Sequence, residues 1–137
     1  MAILLDDLLL EGFMQTFYGY GSFDGRFWFI GMEEGGGDSV EVMQRRLNAW
    51  RERGKLELED LSETAAEMGA GEWFNERPRL QRTWGMLIRI ALASEGPTPT
   101  TDEVREYQKI SLGRRRGQLP VGIAAVALAV ASALDLL

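Results

Sequence analysis

The chain reads as an α/β protein, and two observations carry that reading. Residues 26–30 hold a short apolar, aromatic run, Phe27, Trp28, Phe29 and Ile30. It enters Gly31, two adjacent carboxylates (Glu33, Glu34) and three consecutive glycines (Gly35, Gly36, Gly37). A segment with helical periodicity begins directly afterwards at Asp38. Strand, glycine turn and helix start in that order form the junction found at the C-terminal edge of α/β sheets, where ligands bind. The second observation is that most of the rest divides into amphipathic helical segments bounded by glycine and proline.

Residues 2–17 are apolar at Leu5, Leu8, Leu9, Phe13 and Phe17, with Asp6, Asp7 and Glu11 opposite, which predicts a helix with its acidic side in water. The aromatic, glycine-rich stretch 18–22 (Tyr18, Gly19, Tyr20, Gly21, Ser22) stops it as a loop. The strand at 26–30 is apolar at every interior position, the pattern of a strand buried on both faces. Asp38 with Glu41 three residues on has capping-box spacing, and Val40, Met43, Leu47 and Trp50 give the following helix its apolar face until Gly54. A second helix carries Leu58, Leu61, Ala65 and Met68 and closes at Gly69. Trp73, Phe74 and Pro78 form a connector. A third helix runs near 80–94 and ends at Gly96 and Pro97. Thr100 with Glu103 caps a fourth, which turns Val104 and Tyr107 inward and fades by Gly113.

Residues 119–137 change style, being rich in alanine and valine, uncharged until Asp135, and preceded by Arg114, Arg115 and Arg116. Three readings compete: a buried strand or helix, a C-terminal membrane anchor over 119–134, or a tail foreign to the fold. A spanning helix needs about 20 strongly apolar residues, and alanine contributes little to insertion.

Composition bounds the chemistry. With 137 residues the chain is long enough for one domain with a real core. Cysteine and histidine are both absent. That excludes disulfides, thiolate nucleophiles, cysteine-held metal clusters and every Ser–His or Cys–His arrangement. Catalysis must therefore run on carboxylates, amides, hydroxyls or backbone dipoles, and no cofactor or metal is implied. The net charge of −6 does not fit a strongly basic nucleic-acid module. Local basic groups remain at Arg77, Arg79 and Arg82, either as phosphate contacts or as a solvated helix start. The opening MAILLDD has no basic n-region and no cleavage-like site, so a cytoplasmic location is the expectation.

The glycine loop lacks the Gly-Lys-Ser/Thr of a phosphate loop and the spacing of a dinucleotide fingerprint, and its two acids repel a pyrophosphate. Its glycines let backbone approach a ligand closely. The helix start aims amide donors at the loop. Glu33 and Glu34 stand where a carboxylate orients a water. The competing reading makes them solvated residues of an idle turn. Tyr18 and Tyr20 beside the strand are candidates for stacking on a base. Trp28, Trp50, Trp73 and Trp84 read as core or half-buried packing groups.

The blocks FYGYGSFDGRFWFIGMEEGGG, RTWGMLIRIAL and PTTDEVREYQ resemble a group of bacterial proteins in the uracil-DNA glycosylase-like superfamily, over roughly residues 10–115. The resemblance implies a three-layer α/β/α fold with a parallel sheet, and a DNA-repair hydrolase that binds a nucleobase or DNA. In that superfamily a strand enters a motif such as G-Q-D-P-Y or G-I-N-P-G, whose third residue positions the hydrolytic water. Gly31-Met32-Glu33-Glu34-Gly35 occupies that place here, which puts Glu33 at the water and Glu34 at the proline position. Gly31, Met32, Gly35, Gly36, Gly37, Tyr18 and Tyr20 then hold substrate. The superfamily's later histidine motif has no counterpart in a chain without histidine.

Members of the group continue past an LGRxDGE-like segment with a strand and a proline-rich loop close to CLLELLPLPSPS. Here the chain reads GQLPVGIAAVALAVAS, which a one-base shift of plausible codons produces from the other. The expectation is a division into 1–117, the N-terminal part of a glycosylase-like domain with an incomplete C-terminal half, and 118–137, an out-of-frame tail. Reading the gene in the other frame tests it. An incomplete sheet exposes an unpaired edge, so self-association is expected through it.

Overall fold

The computed structural model describes residues 4–31, 39–115 and the strand at 126–130. Five helices, α1 (Asp7–Thr16), α2 (Val40–Glu52), α3 (Leu61–Glu67), α4 (Arg82–Glu95) and α5 (Thr101–Ile110), accompany four strands. These are β1 (Gly19–Tyr20), β2 (Phe27–Gly31), β3 (Leu58–Glu59) and β4 (Val126–Val130), with a 3-10 turn at Gly71–Phe74. The protein is α/β: a small, mainly parallel sheet in the order β2-β4-β1-β3, with helices packed on it. The pairs β1–β3 and β2–β4 are parallel, and β1–β4 is antiparallel.

Local chemistry explains most boundaries. α1 starts later than the apolar pattern suggests because Asp6 is its N-cap, accepting from the Leu9 amide at 3.0 Å. At α2 the cap is Ser39, which accepts from Val42 N at 3.2 Å; Asp38, the expected cap, lies outside the described residues. α2 ends where Gly54 takes a φ of +96°. The capping box at α5 forms as expected, with Thr100 Oγ1 accepting from Glu103 N and the Glu103 carboxylate accepting from Thr100 N.

Three expectations are corrected. Gly19 and Tyr20 are a strand, not part of a loop: they pair with both β3 and β4. Leu58 does not begin a helix with Leu61, Ala65 and Met68 but belongs to β3. Asp60 breaks the run, its carboxylate capping α3 through Ser62 N at 3.0 Å. Leu58 fits helical spacing by coincidence, and strand pairing with β1 decides its state. Finally, β2 is covered on one face only. Phe27 and Phe29 pack against the core, whereas Trp28 is 37% and Ile30 78% exposed. A continuous apolar run cannot say whether a second layer lies over its other face, and among the described residues none does.

The core is one cluster that joins all five helices to β1: Leu9, Phe17, Tyr20, Leu47, Trp50, Leu61, Ile88, Val104, Tyr107 and Leu112. Leu112 docks because Gly113, at φ +61°, lets the chain turn back on α3. A Cβ there would stand 2.7 Å from the Cβ of Leu61. The Gly113 carbonyl accepts from the Leu61 amide, and the Arg114 side chain pairs with Asp60 at 3.2 Å. No helix among the described residues is long and apolar enough to cross a membrane. Of the segment 119–134, only the strand Val126–Val130 is described.

Candidate functional site

β2 ends at Gly31 and α2 starts after Ser39. Met32, Glu33, Glu34, Gly35, Gly36 and Gly37, which carry the expected chemistry, lie outside the described residues, as does Asp38. What the structure describes is the frame that holds both ends of that loop.

Sheet register places one partner beside it. Gly31 pairs with Val130, and Ala129 pairs with Gly19. One step further along β1, Tyr18 comes into line with Val130 and Gly31. It stands two strand spacings from Gly31, roughly 10 Å. The Tyr18 amide donates to the Glu57 carbonyl at 2.7 Å, which continues the β1–β3 ladder and fixes this position. Because β1 runs antiparallel to β4, the C-terminal end of β2 shares its sheet edge with the N-terminal ends of β1 and β3.

At this edge the two tyrosines part. Tyr18 is exposed and its ring lies 6.3 Å from Phe23, whose ring lies 5.8 Å from Trp28. The three make a continuous exposed aromatic surface leading along β2. Tyr20 is buried. Its ring packs edge-on against Phe17 at 5.5 Å, and its hydroxyl accepts from Arg46 Nη2 at 3.3 Å. Tyr20 therefore offers no exposed ring face for a base. Phe23 and Trp28 take the place beside Tyr18 that its expected partner was given. The apolar neighbours of Trp28 predict a packing role, and only the uncovered sheet face reverses that. Arg26, at the start of β2, is held by Glu95 of α4 at 2.6 Å.

The opposite edge holds a buried ionic cluster. Glu59, fully buried at the end of β3, is paired with Arg46 of α2 at 2.7 Å and with Arg53, the C-cap of α2, at 2.5 Å. The Arg46 guanidinium also lies over the rings of Phe13 and Phe17, 5.1 Å from each. The sequence carried a signal for Arg46: it sits three residues after Met43 and four before Trp50, on the inward stripe of α2. The cluster ties α2 to β3. Gln108 of α5 is a second buried polar anchor. It donates to the carbonyls of Trp73 and Arg79 at 3.0 and 2.8 Å and accepts from Gln81 N at 2.9 Å. Of the basic group, Arg77 and Arg82 are exposed, and Arg79 is exposed with its guanidinium over Trp73. Among the described residues, no set of three or more acidic side chains is arranged to hold a metal ion.

Compared with protein-family models, curated proteins and solved structures, the chain matches none.

Proposed function

We propose that the chain binds a nucleobase on the aromatic surface of Tyr18, Phe23 and Trp28, and that its acidic loop serves hydrolysis of an N-glycosidic bond, as in uracil-DNA glycosylase-like proteins. The observation that carries this reading is the exposed aromatic run of Trp28, Phe23 and Tyr18, whose last member lies in register with Gly31, the end of β2. Every base presents a π-face, so such a run serves as a stacking platform. The proposed fold is the three-layer α/β/α one, with the Trp28 ring left open to the base.

In the proposed step the Glu33 carboxylate takes a proton from a water as the water oxygen bonds to C1′. The C1′–N bond breaks, and the base leaves as an anion with the electron pair and is protonated by solvent, while the proton on Glu33 returns to solvent. Glu34 and the amides of Gly35–37 orient water and substrate. No histidine exists to stabilise the departing base, so the chain is expected to be inactive or nearly so.

The test is a labelled single-stranded oligonucleotide containing uracil, followed for both binding and base release. Replacing Tyr18 and Phe23 together by alanine is expected to weaken binding at least about tenfold. Glu33→Gln is expected to lower the residual base release by about a hundredfold with binding retained. Release indifferent to Glu33→Gln removes that residue from the mechanism. The absence of histidine favours a second reading, a non-enzymatic nucleic-acid module. Salt-sensitive binding with no base release selects it.

A further inference from the structure

We propose that copies of this chain associate head to tail, the outer face of α1 in one seating on the outer face of α4 in the next. Among the described residues neither face has a partner, and the two are opposite in charge. On α1, Leu8 is 82% exposed, with Asp7 and Glu11 exposed beside it and Leu4 exposed just upstream. Positions 7, 8 and 11 form one stripe, and α1 contains no basic residue. On α4, Met86 is 62% and Ile90 61% exposed, and Arg82 and Arg89 are exposed on the same stripe. The one acid of α4, Glu95, is occupied by Arg26. Among the described residues no ion pair engages Asp7, Glu11, Arg82 or Arg89. In a chain of net charge −6, an arginine-flanked apolar stripe without acids calls for an acidic, apolar partner, and α1 is one.

Shape agrees with charge. A hollow of about 280 Å³ lies beside Leu8, lined also by Gly12, Thr16 and Trp50 and, at its rim, by the oppositely charged Lys55 and Glu57. The unbranched Met86 side chain suits such an irregular hollow. Because the two faces differ, the contact is heterologous and builds a ring or an open chain of copies.

Sedimentation velocity on the full chain across a concentration series tests this. Association that rises with concentration is expected. Reversing α1 charge (Asp7→Lys with Glu11→Lys) or α4 charge (Arg82→Glu with Arg89→Glu) is expected to weaken it at least about tenfold, with unchanged circular dichroism. An equimolar mixture of the two reversed proteins is expected to associate again, since lysines on one now meet glutamates on the other. Ile30→Lys, which places a charge on the edge strand β2, is expected to leave association intact. A monomer at every concentration overturns the proposal. So does association that survives both reversals or is lost with Ile30→Lys, the latter placing the contact on the sheet.

Discussion

Glu59 is a costly group to bury. A carboxylate with no exposure is tolerable only because Arg46 of α2 and Arg53 at its C-cap close on it and the Thr64 hydroxyl stands beside it at 3.5 Å. Removing the carboxylate leaves two guanidiniums facing each other, one of them buried with the Phe13 and Phe17 rings. Glu59→Ala is therefore expected to destabilise by about 3–5 kcal/mol, read as a lower urea midpoint at unchanged slope. A loss below about 1 kcal/mol would show the cluster to be dispensable. Its sequence signal was half visible. The stripe of α2 pointed Arg46 inward, but nothing local placed Glu59 beneath it, because the two meet across strand and helix.

Helix starts in this chain are set by single side chains. Thr100 satisfies a first-turn amide of α5, and Glu103 returns the bond to the Thr100 backbone. Thr100→Ala removes the first bond and is expected to cost about 1 kcal/mol, visible as a fall of several degrees in Tm. Asp60 does more, capping α3 while accepting from the Arg115 amide at 3.2 Å and pairing with Arg114. Asp60→Ala is expected to cost more than Thr100→Ala for that reason, a ranking that thermal melts of the two variants check directly. Strands were harder to read than helices. β1 and β3 are two residues long, and no period can be seen in two residues. They exist because they hydrogen-bond to each other, and β1 to β4 as well.

At the scale of the whole molecule, stability depends on the protonation of Tyr107. Burial, and to a lesser degree the negative charge of Glu95, pushes its phenol well above its usual value of about 10. The fold thus favours the neutral phenol. Between the unfolded and folded values the native state binds more protons than the unfolded chain, so stability falls as pH rises. This contribution is full below pH about 10 and is lost as pH climbs toward the folded value. Urea midpoints are expected to drop above pH 10, and Tyr107→Phe is expected to flatten that drop. A variant that tracks the parent protein throughout would assign the loss to other groups.

Architecture also divides polar chemistry between two sheet edges. The exposed aromatic surface and the entrance to the acidic loop share the edge where β2 ends. Glu59 and its arginines occupy the other, where β3 ends. An antiparallel step between β1 and β4 makes this separation, and no feature of the sequence announces it.

By itself the sequence determined the α/β class, the positions of α2, α4 and α5, and the strand that leads into the glycine loop. These rest on apolar period, caps and breakers, all of which act within a few residues. It also settled which chemistry is excluded, because a chain without histidine or cysteine lacks their side chains in any fold. Tertiary structure alone decided that Tyr18 is exposed and Tyr20 buried, that Trp28 and Ile30 face outward, and that Glu59 is held by Arg46. Each of these depends on what covers a residue from elsewhere in the chain, and burial is a property of neighbours in space that short-range pattern does not encode.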